Sequence, residues 1–159
     1  MRQPSRRTFI TAAGACVATT VAAAWPALLH AQMVRTPLNN MPDAIRKLAG
    51  EKTISKGRVK LDVPPLVENG HLVPLSDSVD SPMSERDHVK AIHLFSERNP
   101  QRNMAVFYLG PRAGRAEVVS RVRLAGSQRV VALAEMSDGS FWSGSADVEV
   151  TASACGEGE

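Results

Sequence analysis

The sequence predicts an all-β protein: an immunoglobulin-like antiparallel β-sandwich with a short N-terminal helix and a flexible C-terminal arm. Three observations lead to this prediction. From residue 56 onward apolar and polar residues mostly alternate with a period of two, turn-forming residues interrupt the alternation about every ten residues, and essentially no helical pattern lies between the resulting segments. Seven or eight short strands with this spacing are typical of two packed sheets.

The first 31 residues are predicted to be a twin-arginine export signal that is cleaved. Arg6 and Arg7 precede an alanine-rich apolar run, and no acidic residue occurs before Asp43. A membrane anchor is the competing interpretation, but a glycine and several threonines break the run. Cleavage after Ala31 is expected to leave the mature chain in the periplasm.

The mature chain has balanced charge. The signal holds three of the 19 basic residues, so the 16 that remain equal the 16 acidic residues. A chain of about 128 residues fits one domain, which we place at residues 32–151. No basic block or row of aromatic residues indicates nucleic-acid binding, and we expect neither nucleic acid nor membrane as a partner.

A short helix is predicted at residues 41–50. Asn40 or Met41 lies near its cap, Pro42 and Asp43 fall in the first turn, and Gly50 ends it. Its apolar side chains share one face, which we expect to pack on the sheet or on a partner.

Strands are predicted at residues 56–63, 72–79, 89–96, 104–109, 116–124, 129–136 and 147–151. Residues 68–70 read as a turn, and Pro74 predicts that the second strand lies at an edge or a bulge. The fourth strand is almost continuously apolar, which predicts burial on both faces. Asp138 and Gly139 form the strongest hairpin signal, because Asp-Gly suits a turn that needs positive φ.

Few residues outside the C-terminal segment indicate chemistry. Three of the four histidines follow the predicted signal, and these three, His71, His88 and His93, lack the spacing of a metal site, so neither a metal nor a cofactor is predicted. Acidic pairs such as Asp77 with Asp80 are interpreted as solubilising loop residues. Phe141 and Trp142 are interpreted as core or interface. A local basic cluster is either a solvated strand face or a docking surface for an acidic partner or an anion; its members are Arg112, Arg115, Arg121 and Arg123.

The C-terminal segment, residues 152–159, is predicted to be a flexible arm that displays Cys155, the one cysteine of the mature chain. The arm residues beside it are Ser153, Ala154, Gly156 and Gly158. Counted from Val150, the thiol can reach about 15 to 18 Å beyond the sandwich. Such an arm suits a covalent carrier, and because a mobile tail cannot hold a base beside the thiol, no catalytic residue is assigned. An incidental thiol or an intermolecular disulfide of a scaffold protein stays an alternative.

Several segments together resemble the SoxY family, the sulfur-carrier subunits of the bacterial thiosulfate-oxidising (Sox) system. The segments are residues 82–95, 99–100, 114–116, 121–125 and, above all, 134–142. The resemblance implies an immunoglobulin-like sandwich that pairs with a small β-sandwich subunit, SoxZ. It also implies that Cys155 is where sulfur intermediates are attached covalently. Enzymes containing c-type haem, dimanganese and molybdenum would then act on the adduct, and the carrier itself would not catalyse.

The arm departs from the family pattern at one point. The family's tail is typically Gly-Gly-Cys-Gly-Gly, whereas Cys155 is preceded here by Ser-Ala and followed by Gly-Glu-Gly-Glu. Small neighbours still permit entry into a narrow channel, but Glu157 and Glu159 would repel thiosulfate. A divergent carrier of another sulfur compound is therefore a further alternative.

Overall fold

The computed structural model describes residues 40–152, which form one α-helix, one 3-10 turn and nine strands. The helix is α1 (Met41–Ala49), and the 3-10 turn is Pro111–Ala113. The strands are β1 (Ile54–Lys56), β2 (Val59–Asp62), β3 (Leu66–Asn69), β4 (Val73–Val79), β5 (Val89–Ser96), β6 (Asn103–Tyr108), β7 (Glu117–Val122), β8 (Gln128–Met136) and β9 (Phe141–Ala152). The predicted export signal and the arm residues after Ala152 lie outside the described residues.

Two sheets form the predicted sandwich. The larger has the strand order β1-β9-β8-β5-β6, with β3 also beside β9, and the smaller has the order β2-β4-β7. Val73 and Leu75 of the small sheet are buried in one cluster with Leu94 and Ala132 of the large sheet. All pairs of neighbouring strands are antiparallel except β1–β9 and β3–β9, which are parallel and were not predicted.

The helix confirms its prediction and adds a third layer. The Asn40 side chain accepts a hydrogen bond from the Asp43 amide at 2.9 Å, and Gly50 ends the helix with φ of 64°. Ala49 packs with Phe95 and other buried residues of the large sheet. Because α1 covers the outer face, β5 and β8 are buried on both faces. None of the described helices is long and apolar enough to cross a membrane.

Three local expectations need correction. Residues 66–69 form β3, and the turn falls one step later, at Gly70 and His71. Pro74 lies in the central strand of the small sheet, but β2 ends opposite Ser76, so Pro74 has only β7 as a neighbour. The apolar strand β6 is an edge strand and is only half-buried, with Tyr108 81% exposed.

Two glycine features explain how the strands meet. Gly139 has φ of 80° in the turn that joins β8 to β9, as the Asp-Gly signal predicted. Gly144 of β9 lies where the small sheet crosses the large one, and a Cβ built there would be 2.6 Å from the Val59 carbonyl oxygen. That separation is too short for any side chain, so this crossing requires glycine.

Gly144→Ala is therefore expected to lower the free energy of unfolding by about 1 to 3 kcal/mol, because the two sheets must separate to admit one methyl group. The matched control is Gly110→Ala, since Gly110 has extended φ and nothing within 4 Å of a built Cβ. Urea unfolding of both variants gives the measurement. Equal midpoints for the two variants would contradict the close approach of the sheets.

Asp77 is fully buried on the inner face of β4, so the interpretation of it as a solubilising loop residue is wrong. Neither carboxyl oxygen has a side-chain or backbone donor among residues 40–152. Burial raises the pKa of this carboxyl to about 7, because the charged form loses its hydration. The neighbouring Ser78 backbone amide, which is outside hydrogen-bonding geometry, lowers the pKa by less.

The raised pKa predicts a pH-dependent stability. In the unfolded chain Asp77 ionises near pH 4, whereas in the folded chain it holds its proton to about pH 7. The contribution of Asp77 to the free energy of unfolding is therefore complete below pH 4. As the pH rises to 7, this free energy falls by about 3 to 4 kcal/mol. Asp77→Asn removes this slope, and unfolding free energies measured from pH 4 to 8 test it. The exposed control Asp80→Asn keeps the slope; a slope unchanged in Asp77→Asn would refute the assignment.

Candidate functional site

The candidate site is the base of the predicted arm, at the end of β9. This strand runs for 12 residues, and β8 pairs with it only from Phe141 to Val148. The last four residues, 149–152, extend beyond β8 toward Cys155. Their backbone groups need other partners, because unpaired amide and carbonyl groups are costly where they are shielded from water.

The parallel strand β3, the residues that flank its two ends and one serine supply those partners. Four hydrogen bonds hold the segment: Glu149 N to Pro65 O at 2.8 Å, Val150 N to Ser127 Oγ at 2.9 Å, Thr151 Oγ1 to Glu68 O at 3.1 Å, and Gly70 N to Ala152 O at 2.7 Å. The sandwich thus holds the chain up to Ala152, which is three residues before the thiol.

This anchoring shortens the reach that the sequence suggested. Counted from Ala152 instead of Val150, Cys155 can lie at most about 10 to 11 Å from the last anchored residue. The predicted attachment residue Cys155 and its neighbours Ser153, Ala154, Gly156 and Gly158 lie outside the described residues. Their assignment stays a prediction from the sequence.

Loops from both sheets meet around the arm base. We call this end of the sandwich, formed by residues 69–72, 98–102, 123–128 and 149–152, the arm pole. Asn99 donates through Nδ2 to the Arg123 carbonyl at 2.8 Å, and Gln128 donates to Asn99 Oδ1 at 2.9 Å. Gln128 is buried, so its bond to Asn99 is partly shielded from water, whereas the bond to Arg123 is exposed. Together the two bonds link the two loops.

Gly70 connects the arm base to the small sheet. Its amide donates to Ala152, and its carbonyl accepts from the Leu124 amide at 2.9 Å. Leu124 follows β7 directly after Arg123. The end of the described chain and the end of β7 are therefore two hydrogen bonds apart, a proximity that the sequence did not indicate.

The four arginines of the predicted basic cluster are divided by the fold. Arg115 lies before β7, 4.0 Å from the Glu117 carboxylate, in a weak and exposed ion pair. Arg121 and Arg123 lie at the opposite end of β7 and line a groove at the arm pole. Only this second pair is close to the arm base.

The other residues singled out in the sequence do not form a site. His88 bonds the Ser84 carbonyl at 3.0 Å, and His93 is buried on the helix-facing side of β5, where burial lowers its pKa. Phe141 is buried in the core beneath α1, and Trp142 lies half-buried beside Arg58. Within residues 40–152 no three potential metal-ligating side chains are grouped.

Comparisons with solved structures first place the fold. A superoxide reductase (neelaredoxin) from Ignicoccus hospitalis is 16% identical with a TM-score of 0.54, and the match covers 61% of this chain and 94% of that one. A putative superoxide reductase from Thermotoga maritima is 18% identical with a TM-score of 0.53, over 61% and 93% of the two chains. At these identities the likeness concerns the fold alone.

A more similar sequence comes from a sulfur carrier. The structure of the sulfur carrier protein SoxY from Chlorobium limicola f thiosulfatophilum is 26% identical with a TM-score of 0.59, over 70% of this chain and 96% of that one. A search of curated proteins gave no match. The family model for the sulfur oxidation protein SoxY matches residues 45–155, a range that ends on Cys155. This chain therefore belongs to the SoxY family of sulfur oxidation carrier proteins.

Proposed function

We propose that this protein carries sulfur intermediates of thiosulfate oxidation covalently on Cys155 and presents them in the periplasm to successive Sox enzymes. The observation that carries the proposal is the position of Cys155. The family match ends on this residue, and the sandwich anchors the chain three residues before it. A thiol three residues beyond the last anchored residue can enter an enzyme's active site while the bulk of the domain stays outside.

The proposed chemistry takes place on the Cys155 sulfur and needs no catalytic group on the carrier. The Cys155 thiol and thiosulfate form a sulfur–sulfur bond, releasing one proton and two electrons, which pass to a c-type haem enzyme as the oxidant. Water then cleaves the bond between the sulfane sulfur and the sulfonate in a dimanganese hydrolase, which releases sulfate and leaves a persulfide on Cys155. The carrier's contribution is to hold the adduct and deliver it, so its arm must be narrow.

A SoxZ-like subunit is the proposed stable partner. The predicted twin-arginine signal supports this, because that route exports folded proteins and can take a bound partner with them. The edge strand β6 also supports it, since an edge strand offers backbone groups and Tyr108 offers an exposed aromatic ring for contact.

Intact-mass analysis of the protein from thiosulfate-oxidising cells tests the carrier role. We expect a thiosulfonate or persulfide adduct on the peptide that contains Cys155, removed by a thiol reductant, and we expect Cys155→Ser to abolish both the adduct and thiosulfate oxidation. Ser153→Ala is the matched control and keeps both. Normal thiosulfate oxidation in the Cys155→Ser strain would refute the proposal. An adduct of different mass would identify another sulfur substrate.

The arm base gives a second prediction. Ser127→Ala removes the acceptor of the Val150 amide, so we expect the hydrogen exchange of that amide to become about two to ten times faster, with a global stability change below about 1.5 kcal/mol. Ser76→Ala, a partly exposed serine on β4, is the control and leaves this exchange unchanged. NMR exchange rates give the measurement. Unchanged exchange at Val150 in Ser127→Ala would show that the serine does not anchor the arm.

A further inference from the structure

A groove at the arm pole is lined by residues of β6, of β7 and of the loop that precedes β6. Its volume is about 430 Å³. Its apolar lining residues are Pro100, Met104, Ala105 and Val122, and its charged ones are Arg121 and Arg123. Among residues 40–152 no acidic residue lines it. The groove thus combines a small apolar surface with two positive charges.

The two arginines are available to an anion. Both are exposed, and within residues 40–152 neither forms a salt bridge or side-chain hydrogen bond. The nearby Glu97 side chain is engaged elsewhere, since its carboxylate accepts from the Arg129 amide at 3.3 Å. The Asn99 bond to the Arg123 carbonyl fixes the backbone that carries the second arginine. The groove is therefore positioned before any ligand arrives.

The C-terminal segment starts beside this groove. Ala152 is linked through Gly70 to Leu124, the residue after Arg123. Glu157 and Glu159 are five and seven residues beyond Ala152, so their backbones can extend about 17 Å and about 24 Å from it. Both can therefore reach the arginines. Residues 153–159 contain no other charged side chain.

We propose that Glu157 and Glu159 dock in the groove of Arg121 and Arg123, which gives the arm a resting position on the sandwich. Opposite charge selects the segment, and the anchored Ala152 raises its effective concentration at the groove. With Ala152 fixed on one side and Glu157 bound on the other, Cys155 lies against the arm pole. An enzyme that receives the arm must first release it.

The docking is reversible because exposed ion pairs are weak. Each exposed ion pair between arginine and glutamate favours the bound state about two- to fivefold, and added salt screens it. Two pairs together hold the arm most of the time at low ionic strength, yet release it readily. This is the behaviour that an arm in repeated use requires.

Paramagnetic NMR on the full chain tests the proposal. A nitroxide is attached to Cys155 in a Cys16→Ser background, and the broadening of backbone amides is measured. At low salt we expect broadening at the groove residues Met104, Ser120 and Val122 but not at Glu117, at the other end of β7. Glu157→Gln with Glu159→Gln, or about 0.5 M sodium chloride, should reduce the broadening at least threefold.

Variants of the groove complete the experiment. Arg121→Gln with Arg123→Gln should reduce the broadening by the same factor as neutralising the two glutamates, whereas Arg112→Gln, which changes an exposed arginine outside the groove, should leave it unchanged. Reversing all four charges, by Arg121→Glu and Arg123→Glu together with Glu157→Lys and Glu159→Lys, should restore the broadening. Broadening of the groove amides that is absent at low salt, or that neutralisation of Glu157 and Glu159 does not reduce, overturns the proposal. Because the nitroxide occupies the Cys155 sulfur and prevents a sulfur intermediate from attaching there, this outcome is independent of the adduct test.

Discussion

The long strand β9 must satisfy its backbone on both edges, and the rest of the structure depends on how it does so. On one edge β8 suffices as far as Val148. On the other edge β1 pairs with the beginning of the strand and β3 with its end, both in parallel. Two short strands near the start of the described chain, separated by β2, therefore pair with β9. The pairing of β3 places Gly70 where it bonds both Ala152 and Leu124, so the structure of the arm base follows from strand pairing.

This arrangement gives a carrier a fixed origin and a short tether. Covalent geometry keeps Cys155 within about 11 Å of Ala152, so the thiol stays near the arm pole whether or not a partner is bound. A longer tether would search a larger volume at a lower local concentration. The short tether makes docking on the chain's own surface easy. Under the proposed function it also requires a partner enzyme to approach the arm pole closely, so the loops linked by Asn99 and Gln128 would belong to the surface that such an enzyme contacts.

The elements that the sequence predicts well carry local signals. The helix has its own cap and stop, the strand at residues 89–96 has a dense apolar pattern, and Asp-Gly marks the hairpin. β1 and β3 have three and four residues, and their partners lie more than 80 residues later, so no local pattern shows them. The burial of β6 was misjudged for a related reason. Apolar content does not reveal whether a strand lies at the centre or the edge of a sheet, and β5 and β8 occupy the centre.

The candidate site likewise has one part with a local sequence signal, Cys155, and one part that depends on the fold, the groove. Cys155 could be selected from the sequence because it is the one cysteine after the predicted export signal and lies among small residues. The groove could not, because the spacing of four arginines does not show that β7 separates Arg115 from Arg121 and Arg123, nor that β9 ends beside the latter pair. The fold also changes the meaning of the two glutamates that depart from the family's glycine tail. In isolation they weaken a site for an anionic substrate. Beside two arginines of a groove that no acidic residue of 40–152 lines, they have a binding partner within reach. In the proposed docking, the departure controls when the thiol is presented.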